Sequence, residues 1–268
     1  MRITILLLLA SLASAEGERV TLDFKGDRAT NIVNVLGTYM GAKIKLDAEY
    51  RDKTVTMRLS NSTAEKAYAE LARQLGGEAW KERKGYWHIA PKWSIALRKK
   101  LSQKRLIAAT SEPITLSHHL RALRMIGGIN IVADPKLDLS KKLPLFTSSG
   151  NLQKLLEDTC AKVGCAWSLR WGVVYVATKK RLAAMPHAAP IPMTGRLVAL
   201  PFRKTTLAQV VNYFGAASGQ QIVLDKSIDA KTKISVETTA IDFAQALALT
   251  LYPIGRKASM KENVITIR

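Results

Sequence analysis

One phrase occurs three times along this chain of 268 residues, and it limits the fold more than any other feature. Residues 20–47 read VTLDFKGDRATNIVNVLGTYMGAKIKLD, residues 107–134 read IAATSEPITLSHHLRALRMIGGINIVAD, and residues 197–225 read LVALPFRKTTLAQVVNYFGAASGQQIVLD. Each copy opens on apolar residues at every second position, the period of a half-buried strand: Val20/Leu22/Phe24, Ile107/Ala109 and Val198/Leu200/Phe202. The period then becomes helical. The apolar faces are Ile32, Val33, Leu36, Tyr39 and Met40 in the first copy, and Leu116, His119, Leu120, Leu123 and Ile126 in the second. In the third they are Leu207, Val210, Val211, Phe214 and Ala217. Gly41, Gly128 and Gly219 stand where each helix stops, and a short strand follows (Ile44/Leu46, Ile131/Ala133, Ile222/Leu224).

The second half of each copy also recurs. A strand (Val55/Met57/Leu59, Leu143/Leu145, Ile234/Val236) leads into a second helix. The faces of that helix are Ala64/Ala67/Tyr68/Leu71, Leu152/Leu155/Leu156 and Ile241/Ala244/Leu247/Leu251. A closing hairpin comes last, in EAWKERKGYWHIA, CAWSLRWGVVYVA and RKASMKENVITIR, each with Gly or Asn at the turn. The expected fold class is α+β: three tandem βαββαββ modules of about 70 residues, joined by a basic linker and a basic, Pro-rich linker. A unit of that size is marginal alone, so neighbouring modules are expected to lean on one another. The expected boundaries are modules at 16–91, 107–178 and 196–268, with linkers at 92–106 and 179–195.

Residues 1–15 read as a secretory signal. Arg2 precedes an apolar run from Ile3, and Ala13-Ser14-Ala15 supplies a cleavage site. The run is shorter than the ~20 apolar residues that span a bilayer, so an exported, periplasmic protein is expected, with a peripheral outer-membrane location as a further option. The net charge of +20 is concentrated in the linkers. Residues 91–106 hold six basic residues and no acidic one, and residues 178–195 hold three and none. Basic connectors suit an anionic partner less well than one continuous groove does. The first linker reads as a short basic helix, with Trp93, Leu97 and Leu101 four residues apart. The second, with Pro186, Pro190 and Pro192, reads as extended and semi-rigid.

Each copy resembles the secretin and TonB short N-terminal domain, the small periplasmic module of outer-membrane secretins and of signal-transducing TonB-dependent receptors. The phrases that carry the resemblance are VTLDFKGDRATNIVNVLGTYMGAKIKLD with TVTMRLSNSTAEKAYAELARQLGG, and RLVALPFRKTTLAQVVNYFGAASGQQIVLDKSI with TKISVETTAIDFAQAL. The second copy departs from the pattern at Ser111-Glu112-Pro113 and at its two histidines. The resemblance implies a docking module that engages a secretin, pilus or TonB-system component. Neither a secretin pore domain nor a receptor barrel follows the repeats, so docking without a channel is expected.

No G-x-S-x-G, H-E-x-x-H, P-loop or dinucleotide glycine pattern occurs, so no enzyme, cofactor or small-molecule substrate is expected. Cys160 and Cys165 are the only cysteines, and an exported pair at this spacing favours a disulfide across the turn at Gly164, two small core residues being the alternative. His118 and His119 are adjacent on a helix and point in different directions, so they cannot share an ion. His119 is expected in the core and His118 outside. Asp134/Asp138 and Asp225/Asp229 close turns more readily than they bind calcium. A second functional reading is an envelope protein that binds an anionic polymer (DNA, lipopolysaccharide or cell-wall polymer) through Arg98, Lys99, Lys100, Lys104, Arg105, Lys179, Lys180 and Arg181.

Overall fold

The computed structural model describes residues 19–82, 85–105, 113–143 and 150–268. The expected signal segment and most of the opening strand of the second copy lie outside them. The chain divides into two compact units, with the boundary between Ala96 and Leu97. The fold is α+β, with several small sheets rather than one large one.

In the first unit the order is β1 (Arg19–Arg28), α1 (Ala29–Tyr39), β2 (Ile44–Leu46), β3 (Thr54–Thr63), α2 (Ala64–Gln74), β4 (Glu78–Lys81) and β5 (Trp87–Ala90). β1 and β3 form an antiparallel ribbon with Leu22 opposite Leu59 and Phe24 opposite Met57. The remaining strands form a separate sheet in the order β2–β5–β4, with β2 parallel to β5. Alternation in β1 and β3 turns Val20, Phe24, Val55, Met57 and Leu59 inward, where they meet Ile32 and Leu36 of α1 and Tyr68 and Leu71 of α2 in one core. Tyr39, expected on that core face, is instead exposed. It lies in the last turn of α1.

Helix α3 (Lys92–Ser102) carries the chain across the boundary. The second unit continues with β6 (Lys104–Arg105), β7 (Ile114–Thr115), α4 (Leu116–Gly127), β8 (Ile131–Ala133), β9 (Lys142–Leu143), β10 (Gly150–Asn151) and α5 (Leu152–Val163). After these come β11 (Ala166–Arg170), β12 (Val173–Ala177), α6 (Lys179–Ala183), β13 (Leu197–Thr206) and α7 (Leu207–Ser218). The chain closes with β14 (Gln221–Leu224), β15 (Lys233–Asp242), α8 (Phe243–Leu251), β16 (Ala258–Lys261) and β17 (Val264–Ile267). β7 pairs with β9 and β6 with β10, while β8 lies parallel to β12 in a sheet ordered β11–β12–β8. Then β13 and β15 form a ten-residue ribbon, and β14 lies parallel to β17 in a sheet ordered β14–β17–β16.

Helix termini follow the signals in the chain. Thr206 and Gln209 form a reciprocal capping box at the start of α7, and Gly128 and Gly219 adopt positive φ at the ends of α4 and α7. Ile126, expected on the core face of α4, is exposed in the last turn before that stop.

Residues from 132 to 267 share a single core. Every residue of α8 is buried, where the spacing predicts an amphipathic helix. The cause is the hairpin turn between β11 and β12, which packs on it. A Cβ at Gly172 would sit 2.6 Å from Gln245 Oε1, so a larger residue would have to push that amide aside, and its φ of 77° itself favours glycine. Residues 179–195 are not freely extended. After α6 they bury Met185 and Ile191 in the shared core, accept a hydrogen bond from the Trp171 indole at the Ala188 carbonyl (3.1 Å), and donate from Gly195 N–H to Asp242 Oδ2 (2.7 Å).

Candidate functional site

The basic residues singled out by the sequence do not gather at one place. Lys99 and Lys100 are exposed on α3, Arg98 is half-buried, and Lys100 Nζ donates to the Gly128 carbonyl at 3.0 Å. Lys104 and Arg105 form β6 opposite Asn151 and Gly150, and their side chains lie outside the description. Lys179 and Lys180 are exposed in the first turn of α6. Arg181 is only partly exposed. It turns inward, and its Nε donates to Asp134 Oδ2 at 2.9 Å.

That ion pair is the centre of a polar junction inside the second unit. Asp134 is 1% exposed and also accepts from the Tyr175 hydroxyl (3.1 Å) and the Lys136 N–H (2.9 Å). Burial pushes the Asp134 carboxyl up, but the Arg181 hydrogen bond and the other donors more than offset this, so it lies below the usual carboxylate range. The Arg181 guanidinium sits over the Tyr252 ring, 4.4 Å from its centroid, and donates to the Tyr252 carbonyl at 3.3 Å. The Tyr252 hydroxyl donates back to the Arg181 carbonyl at 3.0 Å. The arrangement is structural, since each polar group of this junction is met by another.

The other singled-out aspartates close turns. Asp138, Asp225 and Asp229 each accept from the backbone N–H two residues on, at 2.9–3.0 Å, as Asp134 does. Cys160 and Cys165 are buried free thiols in contact across the end of α5. The hydrogen bond between them and burial raise the Cys160 thiol well above its ordinary value. His119 is buried and its Nε2 lies 2.9 Å from Thr159 Oγ1. Thr159 gives its own proton to the Leu155 carbonyl (2.6 Å), so the imidazole is the donor in that contact. Burial and the nearby Lys162 lower the His119 pKa to about 4, which keeps the ring neutral. His118 sits outside, with Nδ1 2.9 Å from Thr115 Oγ1. Among the described residues no three His, Cys, Asp or Glu side chains gather to hold a metal ion, and no helix is long and apolar enough to cross a membrane.

The second unit also contains a cleft of about 550 Å³ between α4, β8 and the β13–β15 ribbon. Arg121, Arg124, Arg203 and Glu237 line it, over apolar surface from Leu120, Ile131 and Leu139. Arg203 pairs with Glu237 across the ribbon, and Arg124 Nη1 donates to the Glu237 carbonyl at 3.3 Å. The Arg203 hydrogen bond, with the fields of Arg124 and Arg121, holds the Glu237 carboxyl below its usual value. Sequence reasoning missed this cleft. The only local signal was Arg121 and Arg124 three apart on one helix face, and nothing along the chain joins them to Glu237.

Compared with known proteins, the chain matches no family model and no curated protein sequence.

Proposed function

We propose that this chain is an exported, non-enzymatic adaptor of the bacterial envelope, built from three tandem modules of the secretin and TonB short N-terminal type. It would dock on a protein of a secretin-based secretion or pilus system, or of a TonB-type signalling system. The observation that carries this reading is the repeated strand pairing. β1–β3 with β2–β5–β4 in the first unit has the same order as β13–β15 with β14–β17–β16 in the second, and β7–β9 with β8–β12–β11 follows it in short form.

Such small sheets leave backbone donors and acceptors at their edges that a partner strand can join. The edges are not equivalent. Pro201 interrupts β13 and lacks an N–H, which blunts that ribbon. β1 runs ten residues without a proline, so it is the better edge.

The test is crosslinking of the tagged protein in the envelope, with nuclease treatment and moderately high salt before identification of what co-purifies. Adjacent N–H groups of a strand point to opposite edges, so of Thr21→Pro and Leu22→Pro one removes only an outward donor. The variant of the two that keeps the native circular dichroism spectrum is expected to lose the protein partner; retained capture would rule out docking at β1. Capture that disappears under this treatment, with nucleic acid or glycan recovered only at low salt without nuclease, would instead favour the anionic-polymer reading through Lys99, Lys179 and Lys180.

A further inference from the structure

We propose that the cleft beside α4 binds a short acidic peptide segment that also carries an apolar side chain. This deepens the adaptor reading, on which it rests for the source of the peptide. Two features of the cleft select that chemistry together. Three arginines face one glutamate, so the lining has an excess of positive charge. Arg203 is taken up by Glu237, but Arg121 has no hydrogen-bond partner among the described residues, and Arg124 uses one nitrogen on the Glu237 carbonyl. The remaining N–H groups of the two helical guanidiniums match a carboxylate, which arginine meets with paired donors.

Beneath them lie Leu120, Ile131 and Leu139, and Met125 stands at the mouth 74% exposed. Apolar surface of this kind rewards an apolar side chain and gives nothing to a polyphosphate or a bare anion. Glu237 stays ionised under its arginine neighbours, which further disfavours a dianionic phosphate. The flexible Met125 can adapt to side chains of different shape. A volume of about 550 Å³ lies within the ~300–1,000 Å³ typical of clefts that enclose small ligands, so it fits a few residues of chain rather than a folded surface.

The experiment titrates the full chain with a labelled six-residue peptide of alternating leucine and aspartate. Two control peptides replace the aspartates with lysine, or the leucines with aspartate. Saturable binding of the leucine–aspartate peptide is expected, with both controls weaker by about tenfold or more. Arg121→Gln should weaken it by about tenfold, and Arg121→Glu should abolish it, with unchanged circular dichroism because Arg121 bonds no protein group among the described residues. Lys179→Gln with Lys180→Gln should leave it unaltered. Equal binding of the all-aspartate peptide, equal loss in the lysine variant, or no saturable binding would each overturn the proposal. In the envelope, a captured protein without saturable peptide binding would overturn the cleft while leaving the adaptor reading standing. Peptide binding without any captured protein would leave the cleft standing and remove the adaptor.

Discussion

Arg181 Nε lies 2.9 Å from Asp134 Oδ2, and the two residues sit 47 positions apart in the chain. Asp134 directly follows the short strand β8, while Arg181 stands in α6, at the start of the following connector, and reaches the carbonyls of Tyr252 and Pro253. The pair therefore ties the two halves of the second unit together, with the carboxylate fully buried and the guanidinium partly exposed. A residue that looks in the sequence like one more surface cation serves as an internal fastening.

Removing Arg181 should cost far more than removing its neighbours. Arg181→Met keeps most of the stem over Tyr252 but leaves the Asp134 carboxylate buried with only Tyr175 and a backbone N–H. Breaking such a pair typically costs about 3–5 kcal/mol, whereas Lys180→Gln at the surface should stay within about 0.5 kcal/mol. Urea denaturation of both variants checks this. A loss below about 1 kcal/mol for Arg181→Met would mean the junction does not hold the halves together.

His119 makes stability depend on pH. Its folded pKa of about 4 lies below the ordinary 6.5, so the unfolded chain binds a proton that the folded chain refuses. The associated stability is complete above about pH 6.5 and is lost progressively as the pH falls toward 4, by up to ~3 kcal/mol. His119→Leu, which leaves Thr159 bonded to the Leu155 carbonyl, should flatten this dependence. Denaturant midpoints at pH 7.5, 6 and 5 for both proteins decide the matter.

The two long ribbons share a bulge with different residues in it. Gly26 (φ 66°) interrupts β1 and donates its N–H to Thr56 Oγ1 at 2.9 Å; Lys204 (φ 49°) does the same in β13, to Ser235 Oγ at 2.9 Å. The bulge is thus a property of the ribbon and not of the glycine. A Cβ at Gly26 meets nothing within 4 Å, so the cost of a side chain there is one of backbone alone. Gly26→Val should therefore destabilise by about 1–2 kcal/mol, while Lys204→Gly, which relieves strain but adds freedom to the unfolded chain, should change stability by less than about 1 kcal/mol. Thermal denaturation of the two variants measures both.

Much of the α+β order was legible because strand and helix burial are periodic: Val20 and Phe24 of β1, Ile32 and Leu36 of α1, and Val198, Leu200 and Phe202 of β13 are buried as their spacing requires. The exceptions are informative. Tyr39 and Ile126 keep the helical spacing but fall in last turns, where periodicity persists after the covering sheet has ended. The full burial of α8 needs the β11–β12 turn on its far side, a contact that no local period encodes. Its composition did carry a trace, since Gln245 and Thr250 are the only polar residues from Phe243 to Leu251. The cleft was beyond reach for the same reason, because Arg124 meets Glu237 across 113 positions.

Cys160 and Cys165 are free, buried thiols that interact at the end of α5, which places a redox test within easy reach. The Cys165 N–H donates to the Cys160 carbonyl at 2.9 Å, so the turn between them is fixed before any bond forms. A disulfide oxidant such as oxidised glutathione should convert the two thiols to one intramolecular bridge, with two protons and two electrons passing to the oxidant. Closing so short a loop stabilises by about 2 kcal/mol where it introduces no strain. The expected result is full protection from alkylation after oxidation, with a higher denaturation midpoint that Cys165→Ser lacks. Continued alkylation of both thiols, or a lower midpoint on oxidation, would show that they serve only as small core side chains.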